Sequence, residues 1–201
     1  IKYELSNIQS ISFGYGLHSQ LQPVEVYFAE FADANGNITH PNKNLGMSKA
    51  NHFVLAYDRN INEHLHAKIE TYYQSLFKIP VSSDESNSFS MVNVQESYVT
   101  NPLTNKGTGR NYGVDVTVEH YMHKNFYFLL ASSLYDSKYK GSDNVLRNTR
   151  YNGGYSFTFT AGKEINTGDK FKNRIIGINI KTIYRGGFRE TPIDLEASQQ
   201  P

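Results

Sequence analysis

The sequence predicts an all-β chain: an antiparallel transmembrane β-barrel segment of about seven long meander strands, with short periplasmic turns and long extracellular loops. Three observations carry this. Apolar and polar residues alternate with period two in one run after another. The runs extend over roughly 10–15 residues, where strands of soluble domains average about 5–6. The connections between them alternate between short and long, which a Greek-key sandwich gives no reason to expect.

In chain order, the first run is "NIQSISFGYGLHSQ" (7–20), with Ile8, Ser10, Ser12 and Tyr15 set among glycines. A long polar stretch between 20 and 51 leads to "HFVLAYDR" (52–59). The short link "NINEH" (60–64) leads to "LHAKIETYYQSLFKI" (65–79), where Ala67, Ile69, Thr71 and Tyr73 alternate with Lys68, Glu70, Tyr72 and Gln74. Residues 80–109 are rich in Ser, Asn and Thr and read as a second long loop. Over 110–122, Val114, Val116 and Val118 alternate with Asp115, Thr117 and Glu119. A tight break at His123–Lys124 precedes 125–140, whose phase is ambiguous because both faces begin apolar. Residues 150–165 set Tyr155, Phe157, Phe159 and Ala161 against Ser156, Thr158 and Thr160, and 173–188 set Ile176, Ile178 and Ile180 against Asn179 and Lys181.

Composition narrows the class. The 201 residues are 38% apolar, below the usual soluble share of about 45–50%, yet 13% aromatic, which suits pleated surfaces. The net charge of +1 gives no footprint for nucleic acid. Zero cysteines exclude disulfides, thiolate metal sites and cysteine nucleophiles. No run of about 18 apolar residues forms a membrane helix, a scan to which barrel strands are invisible. Charges keep to one face: Lys68, Glu70, Asp115, Glu119 and Lys181 stand opposite Val, Ile, Phe and Tyr. Lipid demands that segregation, since Arg or Lys at mid-bilayer costs about 2–4 kcal/mol.

The blocks "ISFGYGLHSQ", "HPNKNLGMSKANHFVLAYDRNINEHLHAKIETYYQSLFKIPV", "GTGRNYGVDVTVEHYMHKNFYFLLASSLYDSKYKG", "RYNGGYSFTFTAGKEI" and "YRGGFRETPIDLEAS" resemble, in that order, the barrel of TonB-dependent outer-membrane receptors, the Bacteroidetes type above all. The resemblance spans nearly the whole chain. It implies a barrel of about 22 strands around an N-terminal plug, of which residues 1–201 form a middle-to-late part of the barrel domain in the C-terminal half, the plug and the closing C-terminal strand being absent from it. It further implies energised uptake of a scarce nutrient, such as an iron chelate, cobalamin, a glycan or a peptide. The implied partners are the TonB–ExbB–ExbD system acting through the plug region, outer-membrane lipid, a small nutrient ligand and a surface lipoprotein. The implied location is the bacterial cell outer membrane. By orientation, 19–50, 80–109, 141–149 and the segment after Phe188 face outside.

No motif adds a catalytic reading. His64 with His66, and His120 with His123, read as solvated turn residues rather than metal ligands. "DANGN" (33–37) has the odd spacing of a calcium loop, but Asn44 stands where its twelfth-position acid belongs. "NKGTGR" (105–110) lacks the Gly-Lys-Ser/Thr of a phosphate loop. Glu70, Asp115 and Glu119 belong to regular polar alternation rather than to a glycosidase pair. Arg185 and Arg189 in "YRGGFR" are the candidate ligand contacts at the barrel mouth, against pairing with lumen carboxylates or lipid headgroups. No catalytic residue, metal or cofactor is expected. The competing reading is a soluble β-sandwich or adhesin-like binding module, and a third is a smaller complete pore or outer-membrane enzyme.

Overall fold

The computed structural model describes residues 1–32, 35–94, 99, 101–168 and 174–189. The strands are β1 (Lys2–Ser6), β2 (Gln9–Gln20), β3 (Phe31–Ala32), β4 (Ile38–Thr39), β5 (Ser48–Asn62), β6 (Leu65–Ser82), β7 (Leu103–His123), β8 (Phe126–Lys140), β9 (Leu146–Asn148), β10 (Tyr155–Asn166) and β11 (Ile175–Arg185). A single helical turn, α1 (Val24–Tyr27), and two 3-10 turns, Pro41–Asn44 and Met91–Asn93, sit in the connections. The main sheet is an antiparallel meander in the order β1-β2-β5-β6-β7-β8-β10-β11, with β9 added beside the end of β8. β3 and β4 pair only with each other.

Register fixes the faces. Directly opposed residues share a face of the sheet, so Ile11, Tyr57, Ile69, Val116 and Ser132 lie in one row and Phe13, Leu55, Thr71, Val114 and Leu134 in the next. The same face continues through Leu130, Phe159 and Thr182 to Ile178 and Ile180. The opposite face carries Asp58, Lys68, Glu70, Asp115, Thr117, Ser133, Thr158, Asn179 and Lys181.

Among the described residues nothing covers the apolar face. Leu55 is 51% exposed, Ile180 57% and Phe13 45%. Soluble monomers seldom expose a contiguous apolar patch above a few hundred Å², and here it runs across the whole sheet. A sandwich requires a second sheet against that face; among the described residues there is one large sheet in a single layer.

The rows are also staggered. Gln9, Arg59, Ala67, Val118, Leu130, Phe159 and Thr182 lie in one register row, beginning beside the 7–8 turn and ending well inside β11. Each successive hairpin turn has dropped relative to that row. Such a stagger tilts the strands against the axis, as closure of a barrel requires.

Several boundaries differ from the sequence reading. β1 was not foreseen: five residues carrying Lys2 and Glu4, exposed throughout, give alternation too little length to register. β6 runs to Ser82 and β7 starts at Leu103, so the second long loop shrinks to 83–102. The added β7 residues, "LTNKGTG", are polar and glycine-rich and pair beyond the apolar band, so no apolar alternation marks them as strand. The tight hairpin turn is Lys124–Asn125 rather than His123–Lys124. Both residues have positive φ, 49° and 60°, as a two-residue primed turn needs.

The turns at 7–8, 63–64 and 124–125 gather at one end, together with Thr167 and Arg174 at the facing ends of β10 and β11, stitched by Asn60 N–H to Ile8 O, Tyr121 N–H to His64 O and Glu164 N–H to Asn125 O, each 2.8 Å. The described parts of the long connections that follow β2, β6 and β8 gather at the other end. Two aromatic belts bound the apolar face. Tyr15, Phe53, Tyr73 and Tyr112 form one register row towards the long loops. His120, Phe126 and Phe128 cluster at the short-turn end. Between Tyr112 and His120 lies a span close to the roughly 9–11 residues of a tilted membrane strand.

Candidate functional site at the long-loop end

Beyond the Tyr112 row the strands continue as paired ribbon, and the long loops pack on one another above it. Val26, Val99 and Leu103 form a small buried cluster, with Leu45, Phe89, Met91 and Val94 against it. Asn42, 0% exposed, holds two loops together: its Nδ2 donates to Asn101 O at 3.0 Å, and its Oδ1 accepts from Leu103 N–H at 2.8 Å. Gly46 N–H donates to Asn105 Oδ1 at 2.7 Å, Arg150 N–H to Asn93 Oδ1 at 3.0 Å, and Ser142 Oγ–H to Ser82 O.

Two loop carboxylates are held below the usual range. Asp84 accepts from the backbone N–H and the hydroxyl of Ser86. Asp143 is lowered chiefly by Arg147, whose guanidinium reaches it at 2.6 Å and whose own pKa rises in return.

Below the loops, the polar face carries a ladder of neutral hydrogen bonds. Asn111 Nδ2 donates to Gln74 Oε1 at 2.7 Å, Ser137 Oγ–H to Asn111 Oδ1 at 2.7 Å, and Thr149 Oγ1–H to Ser137 Oγ at 2.8 Å. Gly113 makes room beside this ladder, since a Cβ there would stand 2.6 Å from Leu134 O and 2.7 Å from the Tyr72 hydroxyl. Two concavities open on this face. One, ≈ 660 Å³, is lined by His18, Gln22, Gln74, Leu76 and Met91 among others. The second, ≈ 410 Å³, is lined by His52, Tyr72, Gln74, Asn111, Asp115 and Tyr135. Gln74 belongs to both, so they adjoin beneath the loops; each falls within the roughly 300–1,000 Å³ of small-molecule sites.

The candidate arginines stand at this end too. Arg185, at the end of β11, places its guanidinium carbon 5.5 Å from the Phe188 ring centroid. Arg189 donates its N–H to Arg150 O at 2.7 Å and its Nε–H to Asn152 O at 3.2 Å, closing the end of the chain's described part onto the 150–152 segment. The structure does not bring either arginine into the lining of the two concavities.

The other flagged residues have ordinary partners. Lys68 pairs with Glu70 at 2.8 Å, Asp115 accepts from Ser133 Oγ–H at 2.6 Å, and His66 Nε2 lies 3.0 Å from Asp58. His64 stacks on His123 with centroids 3.7 Å apart, and His120 stacks on Phe128. Gly107 and Gly109 of "NKGTGR" are inside strand β7. Asp33 of the calcium-like spacing and the segment from 190 onward lie outside the described residues. Asn42, Gln74 and Asn111 were not singled out from the sequence; Gln74 showed only as one position of a polar alternation, and Asn42 gave no signal of its own.

No protein-family model matches the chain, and no curated protein matches it. Solved structures do. The ferric-catecholate import receptor Fiu of E. coli K12, in its closed form, superposes with a TM-score of 0.59 over 83% of this chain, at 14% identity. The FrpB iron transporter of Neisseria meningitidis (F3-3 variant) gives 0.52 over 89%, at 13% identity. These likenesses show the fold, an antiparallel β-barrel wall. The chain spans 22% of the first of these structures and 25% of the second, so the likeness concerns the wall and not the whole receptor.

Proposed function

We propose that this chain is part of the barrel of a TonB-dependent outer-membrane receptor of the Bacteroidetes type, in which it forms a section of a larger barrel domain. The observation that carries this is the single-layer sheet whose uncovered apolar face is bounded by aromatic belts, with short turns at one end and packed long loops at the other. The apolar face meets lipid, the polar face meets the lumen and its plug, and the loop-covered end faces outside. Open sheet edges are not tolerated in lipid, and β1 and β11 each pair on one side only among the described residues, so further strands complete the wall.

In this role the long loops and the polar concavities beneath them capture a scarce nutrient, and the TonB–ExbB–ExbD system acts through the plug to admit it. Iron chelate, cobalamin, glycan and peptide remain the ligand classes; a surface lipoprotein is the partner that would cap the loops. Arg185 and Arg189 are candidate contacts for an anionic group at the mouth.

The test is fractionation and uptake with the full-length product. Recovery in detergent-extracted outer membrane, and uptake of one candidate nutrient that stops when TonB is depleted, are the expected results. Recovery in the soluble fraction without detergent sinks the reading.

A further inference from the structure

On the apolar face, near the short-turn end, lies a groove of ≈ 430 Å³ whose walls are Tyr57, Ile61, Ile69 and Val116 and whose floor includes Ala67. Arg59 stands at its edge, on the same face and directly opposite Ala67. The groove exists because Ala67 breaks a row of larger side chains, leaving a dent between β5 and β7.

Arg59 stands out on a face dominated by Val, Ile, Leu, Phe and Tyr; Lys163 shares the short-turn part of that face, but its ammonium donates to Lys124 O at 3.0 Å. It is exposed, and its guanidinium has no hydrogen-bond or ion-pair partner among the described residues. Its neighbours are already engaged: Tyr57 Oη–H donates to Gln9 Oε1 at 2.7 Å, and Lys68 points to the opposite face, where Glu70 holds it at 2.8 Å. The row stagger sets Arg59 close to the 7–8 and 63–64 turns, at the rim of the apolar band rather than its middle. A cation there reaches headgroup depth without crossing hydrocarbon.

We propose that this groove is a binding site for an anionic phospholipid, with an acyl chain in the Ala67 dent and the phosphate on the Arg59 guanidinium. The assignment rests on the reading that the apolar face meets lipid. An acyl chain matches the groove's walls, which offer hydrocarbon and no free polar partner. A phosphate diester matches the unengaged guanidinium, whose planar fork accepts two phosphate oxygens. A soluble anion would leave the groove empty, and a neutral lipid would leave Arg59 unpaired.

The experiment uses the full-length receptor, extracted in detergent and examined by native mass spectrometry with palmitoyl-oleoyl phosphatidylglycerol or phosphatidylcholine at equal concentration. Wild type is expected to retain one phosphatidylglycerol in preference to phosphatidylcholine. Arg59→Gln is expected to lose that preference by about fivefold, the value of one interfacial cation, and Arg59→Lys to keep most of it. Ala67→Phe, which fills the dent and leaves the charge, is expected to lose the bound lipid while still showing the heat-modifiable migration of a folded barrel. Equal retention by wild type, Arg59→Gln and Ala67→Phe overturns the proposal, as does a wild type that retains no phosphatidylglycerol. A protein that needs no detergent overturns the receptor reading with it, which separates the two failures.

Discussion

The Leu103 amide and the Asn42 side chain meet 61 residues apart in the chain, through a 2.8 Å hydrogen bond at a site with no solvent access to Asn42. The Asn42 side chain also donates its Nδ2–H to Asn101 O at 3.0 Å, so one side chain satisfies two backbone groups of another segment. Replacement of Asn42 by Ala strands both. A buried polar group left without a partner costs about 1–3 kcal/mol. The expected result is a barrel that still folds and migrates as wild type, with loop 83–102 cut faster by added protease. Unchanged cleavage would show that the loops are held by their apolar cluster alone.

The faces of the sheet were legible and the loops were not, for different physical reasons. Val114, Val116 and Val118 announce a face because each is separated from the next by a polar residue, Asp115, Thr117 and Glu119 following them in turn. For 126–131 the sequence offers Phe126, Phe128 and Leu130 against Tyr127, Leu129 and Ala131, and neither set is polar. Register decides it. Phe128 stands opposite His120 and Leu130 opposite Val118, so these join the valine face, while Tyr127, Leu129 and Ala131 stand opposite Gly162, Thr160 and Thr158 on the polar one. That register follows from the two-residue turn together with a bulge between His120 and His123, which shifts the pairing by one residue; the sequence places the turn one residue early and gives no sign of the bulge. Asn42 was illegible because its partners are distant in sequence and its pattern is that of any polar loop.

Charge placed on the two faces separates lipid from water. Val116→Arg puts a cation on the apolar face and is expected to cost about 2–4 kcal/mol if it reaches the bilayer midplane. Ala131→Arg puts the same group on the polar face, diagonal to Asp115 and Glu119, where it is paired. Urea titration of the receptor refolded into liposomes should show a large loss for the first and little for the second. Equal losses would mean that both faces meet the same environment.

Gly107 sits where β6 bulges, between register shifts at Leu76/Ile79 and Ile79/Val81 and beside Lys78 at φ 55°. A Cβ there would run into Val81 Cγ1 and stand 2.8 Å from Ile79 O. Gly107→Ala is therefore expected to destabilise by about 1–3 kcal/mol through overpacking. Gly177→Ala, with nothing within 4 Å of its added carbon, is the control and should be near neutral. A lower denaturation midpoint for the first and not the second is the expected pair of results; equal midpoints would show that the bulge relaxes freely.

Acid should loosen one loop in particular. Asp143 is depressed mainly by its hydrogen bond from Arg147, and backbone Val145 N–H adds a second donor at 3.1 Å. The open loop titrates at the ordinary carboxylate value of about 3.9, the closed loop below it. The contribution of this contact to loop closure is therefore complete above the ordinary value and lost as pH falls through the depressed one. Both groups are solvent-screened, so the effect is local opening rather than barrel unfolding. Hydrogen exchange across 141–154, measured as a ratio to exchange in β7 to remove its intrinsic pH dependence, should rise below that window in wild type. Asp143→Asn should show the raised ratio at every pH and no step. A step of equal size in the variant would assign the titration to another group.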